Sequence, residues 1–299
     1  MRLRTLAAGV ATLALALTAC GDSETDLGGG GGTTGSDAYE VVADPNFAAG
    51  STMAKLSDAG SIKIGVKFDQ PGIGNKNPAT GKPEGFDIEM GKIVAGQLGI
   101  PADKIEFIET VSKNREPYIE GGQVDIVIAS YSITDKRKKI VSFAGPYYVT
   151  GQDLLIRKED ASEITGPDSL AGKTVCSVTG TTPLAKIESD YKQAKTEAYA
   201  TYTECVDRLE TKSVDAVTTD GSILLGYAAG NPEQLQVVGK PFSTEKYGIG
   251  LKKDDTAFRG FLNDTLQKAY DNGDWKKAFD ATLGKGGGEA GEPPAIEKY

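Results

Sequence analysis

Two short stretches of this chain repeat one pattern, and the repeat narrows the choice of fold more than any other feature. Gln123-Val124-Asp125-Ile126-Val127 follows a helical segment ending at Gly121-Gly122 and leads into Ser130-Tyr131-Ser132. Ser213-Val214-Asp215-Ala216-Val217 follows a second helical segment and leads into Thr218-Thr219-Asp220. Val124 to Ala129 is almost wholly apolar, as expected of a strand buried on both faces. Around the first copy, Ile62, Ile64, Val66 and Phe68 alternate with Lys63, Gly65 and Lys67, a strand pattern. Phe86, Met90, Ile93, Val94 and Leu98 then recur at helical spacing up to Gly99. A strand at Ile105 to Ile108 and a short helix at Glu116 to Glu120 follow. The second copy is preceded by a strand at Thr174 to Val178 and helices at Pro183 to Tyr191 and Glu204 to Lys212. Such alternation predicts α/β units, each a mainly parallel sheet flanked by helices. Two similar units predict two lobes, which a length of 299 residues accommodates. In open α/β sheets ligands lie beyond the carboxyl ends of strands, so two such ends facing each other make a ligand cleft between lobes. One long helix from Ala257 to Ala278 closes the pattern, with Trp275 as a core anchor.

The ends of the chain read differently. Arg2 and Arg4 precede an apolar run from Leu6 to Leu17, too short for a bilayer span of roughly 20 residues and suited to an export signal. Leu17-Thr18-Ala19-Cys20 resembles the lipobox of bacterial lipoproteins, in which the cysteine is lipidated. The alternative is an ordinary secretory signal with an incidental cysteine. Residues 20–45, with Gly28 to Gly32 unbroken, form an expected flexible tether. Residues 284–299, rich in Gly, Glu and Pro, form an expected disordered tail. The expected organisation is therefore a signal at 1–19, the tether, a first lobe from 46–152 and 247–283, a second lobe from 153–246, and the tail. Lipid on Cys20 leaves Cys176 and Cys205, which export would allow to pair; two separate buried thiols are the alternative.

Composition removes several function classes. The chain has no histidine, so Ser-His-Asp and Cys-His catalysis and His-ligated zinc are excluded. Its net charge of -9 disfavours nucleic acid and anionic lipid as partners. Nothing points to a cofactor or a metal, and a monomer is expected.

The candidate chemistry lies at the strand ends. Ser130-Tyr131-Ser132-Ile133-Thr134-Asp135-Lys136-Arg137 brings hydroxyls, a helix start and an arginine to the end of a buried strand. That set suits a carboxylate, which takes a bidentate arginine and backbone amides. The alternative is a helix cap and a solvated basic turn, since Lys136 to Lys139 are all cationic. Arg115 follows Ser112-Lys113-Asn114 just before a helix; its alternative is a surface salt bridge to Glu116 or Glu120. Lys67 ends the first strand.

From about Ile62 to Leu283 the chain resembles the solute-binding proteins of ABC importers for polar amino acids, the bacterial extracellular solute-binding proteins of family 3. The matching residues are Gly85-Phe86-Asp87, Val124-Asp125, Ser132-Ile133-Thr134 with Arg137, Phe143 with Pro146-Tyr147-Tyr148, Gly180-Thr181-Thr182, Val214-Asp215-Ala216-Val217 with Asp220, and Tyr247-Gly248-Ile249. It most resembles the glutamate-binding lipoproteins of actinobacterial importers, which also carry a cysteine pair at these places. The resemblance implies the two-lobed periplasmic-binding-protein fold. It implies that Arg137 clamps a ligand α-carboxylate, with Ser130, Ser132, Thr181 and Thr182 beside it. It implies that Asp220 holds the α-ammonium, where the alternative is a capping aspartate before Gly221. Pro183 is expected at the first helical position after Thr182. Where many relatives carry an aromatic, Arg115 supplies a cation, as in relatives that bind aspartate or glutamate, and Lys67 adds a second. Arg137, Arg115 and Asp220 sum to +1 against -1 for glutamate. The family's aromatic near Gln70 to Gly74 is missing; Tyr131 or Tyr202 could supply an apolar wall.

The expected function is thus a receptor, not an enzyme. It binds L-glutamate or a related amino acid (aspartate, glutamine or asparagine) and delivers it to an ABC permease. It is held at the outer face of the cell membrane by its N-terminal lipid. A sensor module for a membrane signalling protein and a dehydratase are the alternatives.

Overall fold

The computed structural model describes residues 39–298. The expected signal, Cys20 and most of the tether lie outside them. In chain order the first elements are α1 (Thr52–Ala59), β1 (Ile62–Val66), β2 (Asp69–Gln70), β3 (Gly74–Lys76), β4 (Pro83–Glu84), α2 (Phe86–Gln97), β5 (Ile105–Glu109), α3 (Arg115–Glu120), β6 (Ile126–Val127), α4 (Asp135–Lys138) and β7 (Ser142–Thr150). There follow β8 (Gln152–Arg157), β9 (Thr174–Val178), α5 (Thr182–Asp190), β10 (Lys195–Tyr199), α6 (Tyr202–Glu210), β11 (Ala216–Asp220), α7 (Gly221–Gly230), β12 (Leu235–Val237), β13 (Glu245–Leu251), α8 (Thr256–Asp271) and α9 (Asp274–Ala281).

Two five-stranded sheets have orders β5-β1-β6-β13-β7 and β10-β9-β11-β8-β12. In each, three strands run parallel with the first in the middle. A fourth strand then arrives from the other sheet and pairs antiparallel with the third: β13 on β6, and β8 on β11. Four of the five strands in each sheet point the same way, so the sheets are mainly parallel as expected, and the one strand that enters from the opposite lobe runs against both its neighbours. The repeated Val-Asp has one structural task in both copies. Asp125 donates its N–H to Lys63 O at 2.9 Å and accepts the Lys63 N–H on Oδ2 at 2.8 Å. Asp215 does the same with Thr174, at 2.8 Å and 2.7 Å. Each aspartate ties the third parallel strand to the foot of the first.

The chain leaves the first sheet at Gly151 and returns after Val237. The two crossovers lie side by side: Phe242 N–H donates to Gln152 O at 2.9 Å, and Gln152 N–H to Ser243 Oγ at 3.0 Å. A Cβ on Gly151 would sit 2.6 Å from Ser243 O, so only glycine allows this approach.

Phe86 anchors an aromatic cluster, with Tyr147, Tyr148, Trp275 and Phe279 at centroid distances of 5.7–6.0 Å. Trp275 is buried and donates Nε1–H to Tyr147 O at 2.8 Å. The single helix expected at 257–278 is two, α8 and α9, parted at Asn272-Gly273 where Gly273 has φ 84°, a conformation glycine adopts without strain. A disulfide joins Cys176 on β9 to Cys205 on α6 across 29 positions. In the chain-entropy account a loop of that size contributes roughly 3 to 4 kcal/mol.

Both tails depart from expectation. Tyr39 packs on the core and Val42 N–H donates to Gly96 O at 2.9 Å, so the last part of the expected tether is docked on α2. The segment 284–298 is docked too. Ile296 packs on the core, Glu297 N–H donates to Gly145 O at 2.9 Å, and the Glu297 carboxylate pairs with Lys246. One apolar side chain, a backbone hydrogen bond and an ion pair hold a segment whose composition alone promised none of this order.

Candidate functional site

The carboxyl ends of the parallel strands from both sheets meet in one place. From the first sheet come Lys67 after β1, Ser112 and Arg115 after β5, Ser130 to Ser132 after β6, and Arg137 in α4. From the second come Gly180 to Pro183 after β9 and Thr219 and Asp220 at the end of β11. Ser112, Arg115, Ser130, Ser132, Thr181, Thr182, Thr219 and Asp220 line one small cavity with Gln70 and Tyr202. Lys67 lies just behind it, its Nζ–H donating to Ser112 Oγ at 2.7 Å, and Arg137 flanks it.

Arg115 is buried, 2% exposed. It donates to the carbonyls of Ser112 (3.1 Å), Ala129 (3.1 Å), Ser130 (3.2 Å) and, across the cleft, Gly180 (3.3 Å). Arg137, 7% exposed, donates to Ser132 O at 2.7 Å and also to Gly180 O, at 3.0 Å. The two guanidiniums flank the Tyr131 ring at 4.4 Å and 5.0 Å, a contact worth about 2 kcal/mol when desolvated. Glu116 pairs with Arg137 Nε at 3.3 Å, so the surface salt bridge to Glu116 that was the alternative for Arg115 is made by Arg137. Lys136 and Lys139 are exposed while Arg137 turns inward, because Thr134 caps α4 through its Oγ1, which accepts the Arg137 N–H at 3.2 Å.

Asp220 occupies the capping position of α7 but makes no side-chain cap hydrogen bond. Instead its Oδ2 accepts the Tyr247 O–H at 2.5 Å, and Oδ1 is buried without a partner. Burial, and then the nearby Glu245 carboxylate, push the Asp220 carboxyl up to about 7. Burial, and then Arg115, bring the Lys67 ammonium down to about 7. Burial, and then Arg137, bring Arg115 down to about 10. In each case removing water disfavours the charged form.

Thr181 caps α5, accepting the Leu184 N–H on Oγ1 at 3.2 Å. The helix therefore begins at Thr182, and Pro183 takes the second helical position, not the first. Thr182 Oγ1–H donates across the cleft to Glu245 Oε2 at 2.8 Å and lies 3.4 Å from Ser132 Oγ.

Three residues of the site were given no role from the sequence. Asp87 accepts the Ser130 N–H at 2.8 Å and the Tyr147 O–H at 2.6 Å. It holds Ser130 at φ 42°, a conformation disfavoured outside glycine. Burial raises the Asp87 carboxyl to about 6. An acidic residue on the buried face of a helix, in Gly85-Phe86-Asp87, was the available signal. Tyr247 also sits in a quoted motif. Glu245 had no signal, since only the return crossover brings it here.

The cavity has room for about 10 Å³, on the scale of a single water. Most of its lining is polar, and the Arg115 guanidinium is already met by carbonyls. An amino acid does not fit this cavity as it stands, with Gly180 O accepting from both guanidiniums.

Asp220 offers a direct check on this electrostatic picture. Between its ordinary value of 3.8 and about 7, the folded chain holds a proton that the unfolded chain releases. Asp220 thus supports folding below its unfolded value, and that support is lost as pH rises through about 7. Asp220→Asn stays neutral throughout. In urea unfolding the variant should gain on the wild type between about pH 4 and pH 7, by on the order of a few kcal/mol, and then hold level. A difference independent of pH from 4 to 9 would contradict the burial of this carboxyl.

Comparison with known proteins agrees with the fold. The chain is 35% identical to the glutamate-binding protein GluB of Corynebacterium efficiens, over 94% of this chain and 91% of that one. It is 36% identical to the ABC transporter glutamine-binding protein GlnH of Bacillus subtilis, over 76% and 83%. The crystal structure of the solute receptor for L-cysteine of Neisseria gonorrhoeae superposes with a TM-score of 0.76 at 29% identity, over 82% of this chain and 99% of that one. Residues 62–285 match the bacterial extracellular solute-binding proteins, family 3, and the chain belongs to that family.

Proposed function

We propose that the chain is the exported, lipid-anchored receptor of an ABC importer and that its ligand is an acidic or polar L-amino acid, glutamate first. The observation that carries this reading is the pairing of two buried guanidiniums with a buried, half-partnered aspartate around one cavity. The α-carboxylate sits against Arg137, Ser130, Ser132 and the start of α5 at Thr181 and Thr182, where an anion meets a helix N-terminus. The α-ammonium takes the open Oδ1 of Asp220. The side-chain carboxylate reaches Arg115, with Lys67 behind it. Relatives named for glutamate and for glutamine support this class of ligand. Closure of the two lobes about the crossovers at 150–154 and 240–247 sequesters the amino acid, and the closed form then docks on the permease. A few residues at element ends commonly absorb such a motion.

Glutamine is the second reading, favoured by one observation. Gln70 is buried at the cavity with its Oε1 unpartnered, an acceptor that suits a carboxamide N–H and not a carboxylate.

Arg115 separates the two. A ligand carboxylate that loses its water and finds no cation is strongly disfavoured. Arg115→Gln should weaken glutamate binding by roughly 30-fold to a few thousand-fold and glutamine binding much less. Arg137→Gln removes a clamp that both ligands share, so both should weaken together. Calorimetric titration reads both; an unchanged glutamate-to-glutamine preference in Arg115→Gln would remove Arg115 as the selector. The anchor rests on Leu17-Thr18-Ala19-Cys20. Cys20→Ala should release the protein from the membrane or leave an unprocessed precursor, and normal processing with unchanged detergent partition would rule the lipid out.

A further inference from the structure

Beside the cavity, the first lobe reaches into the second with a short ridge, Asp69-Gln70-Pro71. The ridge lies between two helices of the second lobe, and each grips it in its own way. The Asp69 Oδ2 accepts the backbone N–H of Tyr202 at 2.7 Å. Tyr202 is the first residue of α6, so its amide is one of the donors that the helix itself leaves unpaired. A capping box closes the turn before it. Thr201 accepts the Glu204 N–H at 3.3 Å, and the Glu204 carboxylate accepts the Thr201 N–H at 2.9 Å. The Tyr202 amide is thus left for a carboxylate that arrives from the other lobe, and the helix dipole favours that negative charge. On the other side the Tyr227 hydroxyl of α7 donates to the Asp69 carbonyl.

The second grip is steric. Gly226 lies inside α7, where glycine costs helix stability relative to alanine. A Cβ at Gly226 would overlap the Pro71 carbonyl. The glycine makes sense only when the lobes are shut, because that carbonyl belongs to the opposite lobe.

We infer that Asp69 and Gly226 form a closing latch: the ridge drops into the seat between α6 and α7, and the hold lengthens the time the cleft stays shut without selecting which amino acid is inside. Asp69 is a positioning residue in this scheme, since it bonds the helix end of the opposite lobe. The inference rests on the receptor reading for its ligand, but its geometry does not.

The test uses the full chain with L-glutamate and L-glutamine as probes. Asp69→Ala should weaken both by the same factor, about 10- to 100-fold for the loss of a charge-assisted hydrogen bond, chiefly through faster dissociation in stopped flow. Asp69→Asn, which keeps an acceptor oxygen without the charge, should fall between. Gly226→Ala should match Asp69→Ala in dissociation, yet its unfolding midpoint should not fall, because alanine is the better helix former. A folding defect would move the midpoint as well, so this variant separates the latch from a merely structural role. Small-angle scattering without ligand should show a larger radius of gyration for Asp69→Ala and Gly226→Ala than for the wild type. Unchanged dissociation and an unchanged radius in Gly226→Ala would overturn the latch, as would unequal losses for the two amino acids. If the wild type binds neither, the receptor reading fails, and the scattering comparison still decides the latch.

Discussion

Two guanidiniums buried at one carbonyl set the terms for this molecule. Arg115 and Arg137 both donate to Gly180 O, the first from after β5 and the second from α4, while Gly180 stands on the opposite lobe. A cation removed from water must be met by acceptors. Here the acceptors are main-chain oxygens, each such charged bond worth about 1.5 to 3 kcal/mol, joined at Arg137 by the Glu116 carboxylate, and both cations lie over the Tyr131 ring. The arrangement ties the lobes together, and in the proposed receptor the cations exchange a carbonyl for a better acceptor. A carboxylate is that acceptor, because it offers a full charge in the geometry of the guanidinium fork.

The rest of the architecture serves this meeting. Each lobe sends the carboxyl ends of its parallel strands to the same place, and the two Val-Asp ties fix the central pairing on which those ends depend. Gly180 itself allows the approach: a Cβ there would sit 2.9 Å from Lys113 Cα. The crossovers at Gly151 and before Glu245 are the covalent links between the sheets, so they are where opening must be absorbed. The C-terminal segment reinforces the first lobe through Glu297 on Gly145 and Lys246, beside the return crossover.

Much of the fold was legible because it follows from periodicity and punctuation. The restarted strand-helix grammar, the buried Val124 to Ala129 strand and the role of Trp275 all reflect apolar spacing. What escaped reflects contacts that are remote in sequence. The antiparallel fourth strand of each sheet depends on the chain crossing over twice. The break at Gly273 was concealed by apolar spacing that continues through it. The docking of the segment around Ile296 turns on one apolar residue in a polar stretch. At the candidate site, Arg115, Arg137, Ser130, Ser132, Thr181, Thr182 and Asp220 were expected from strand-end logic and resemblance together, and the structure places them near one another, with Lys67 just behind Ser112. Asp87 and Glu245 were not found, because a carboxylate that positions a backbone amide or bridges two lobes leaves no local pattern.

The central claim is that the cleft closes over an amino acid whose carboxylates replace carbonyls on buried cations. Calorimetric titration of the wild-type chain with glutamate, glutamine, aspartate, asparagine and arginine tests it most directly. The account predicts saturable one-to-one binding of glutamate, weaker binding of its relatives and none of arginine, whose cation would face Arg115. Tight binding of arginine, or no binding by any acidic or amide amino acid, would contradict it.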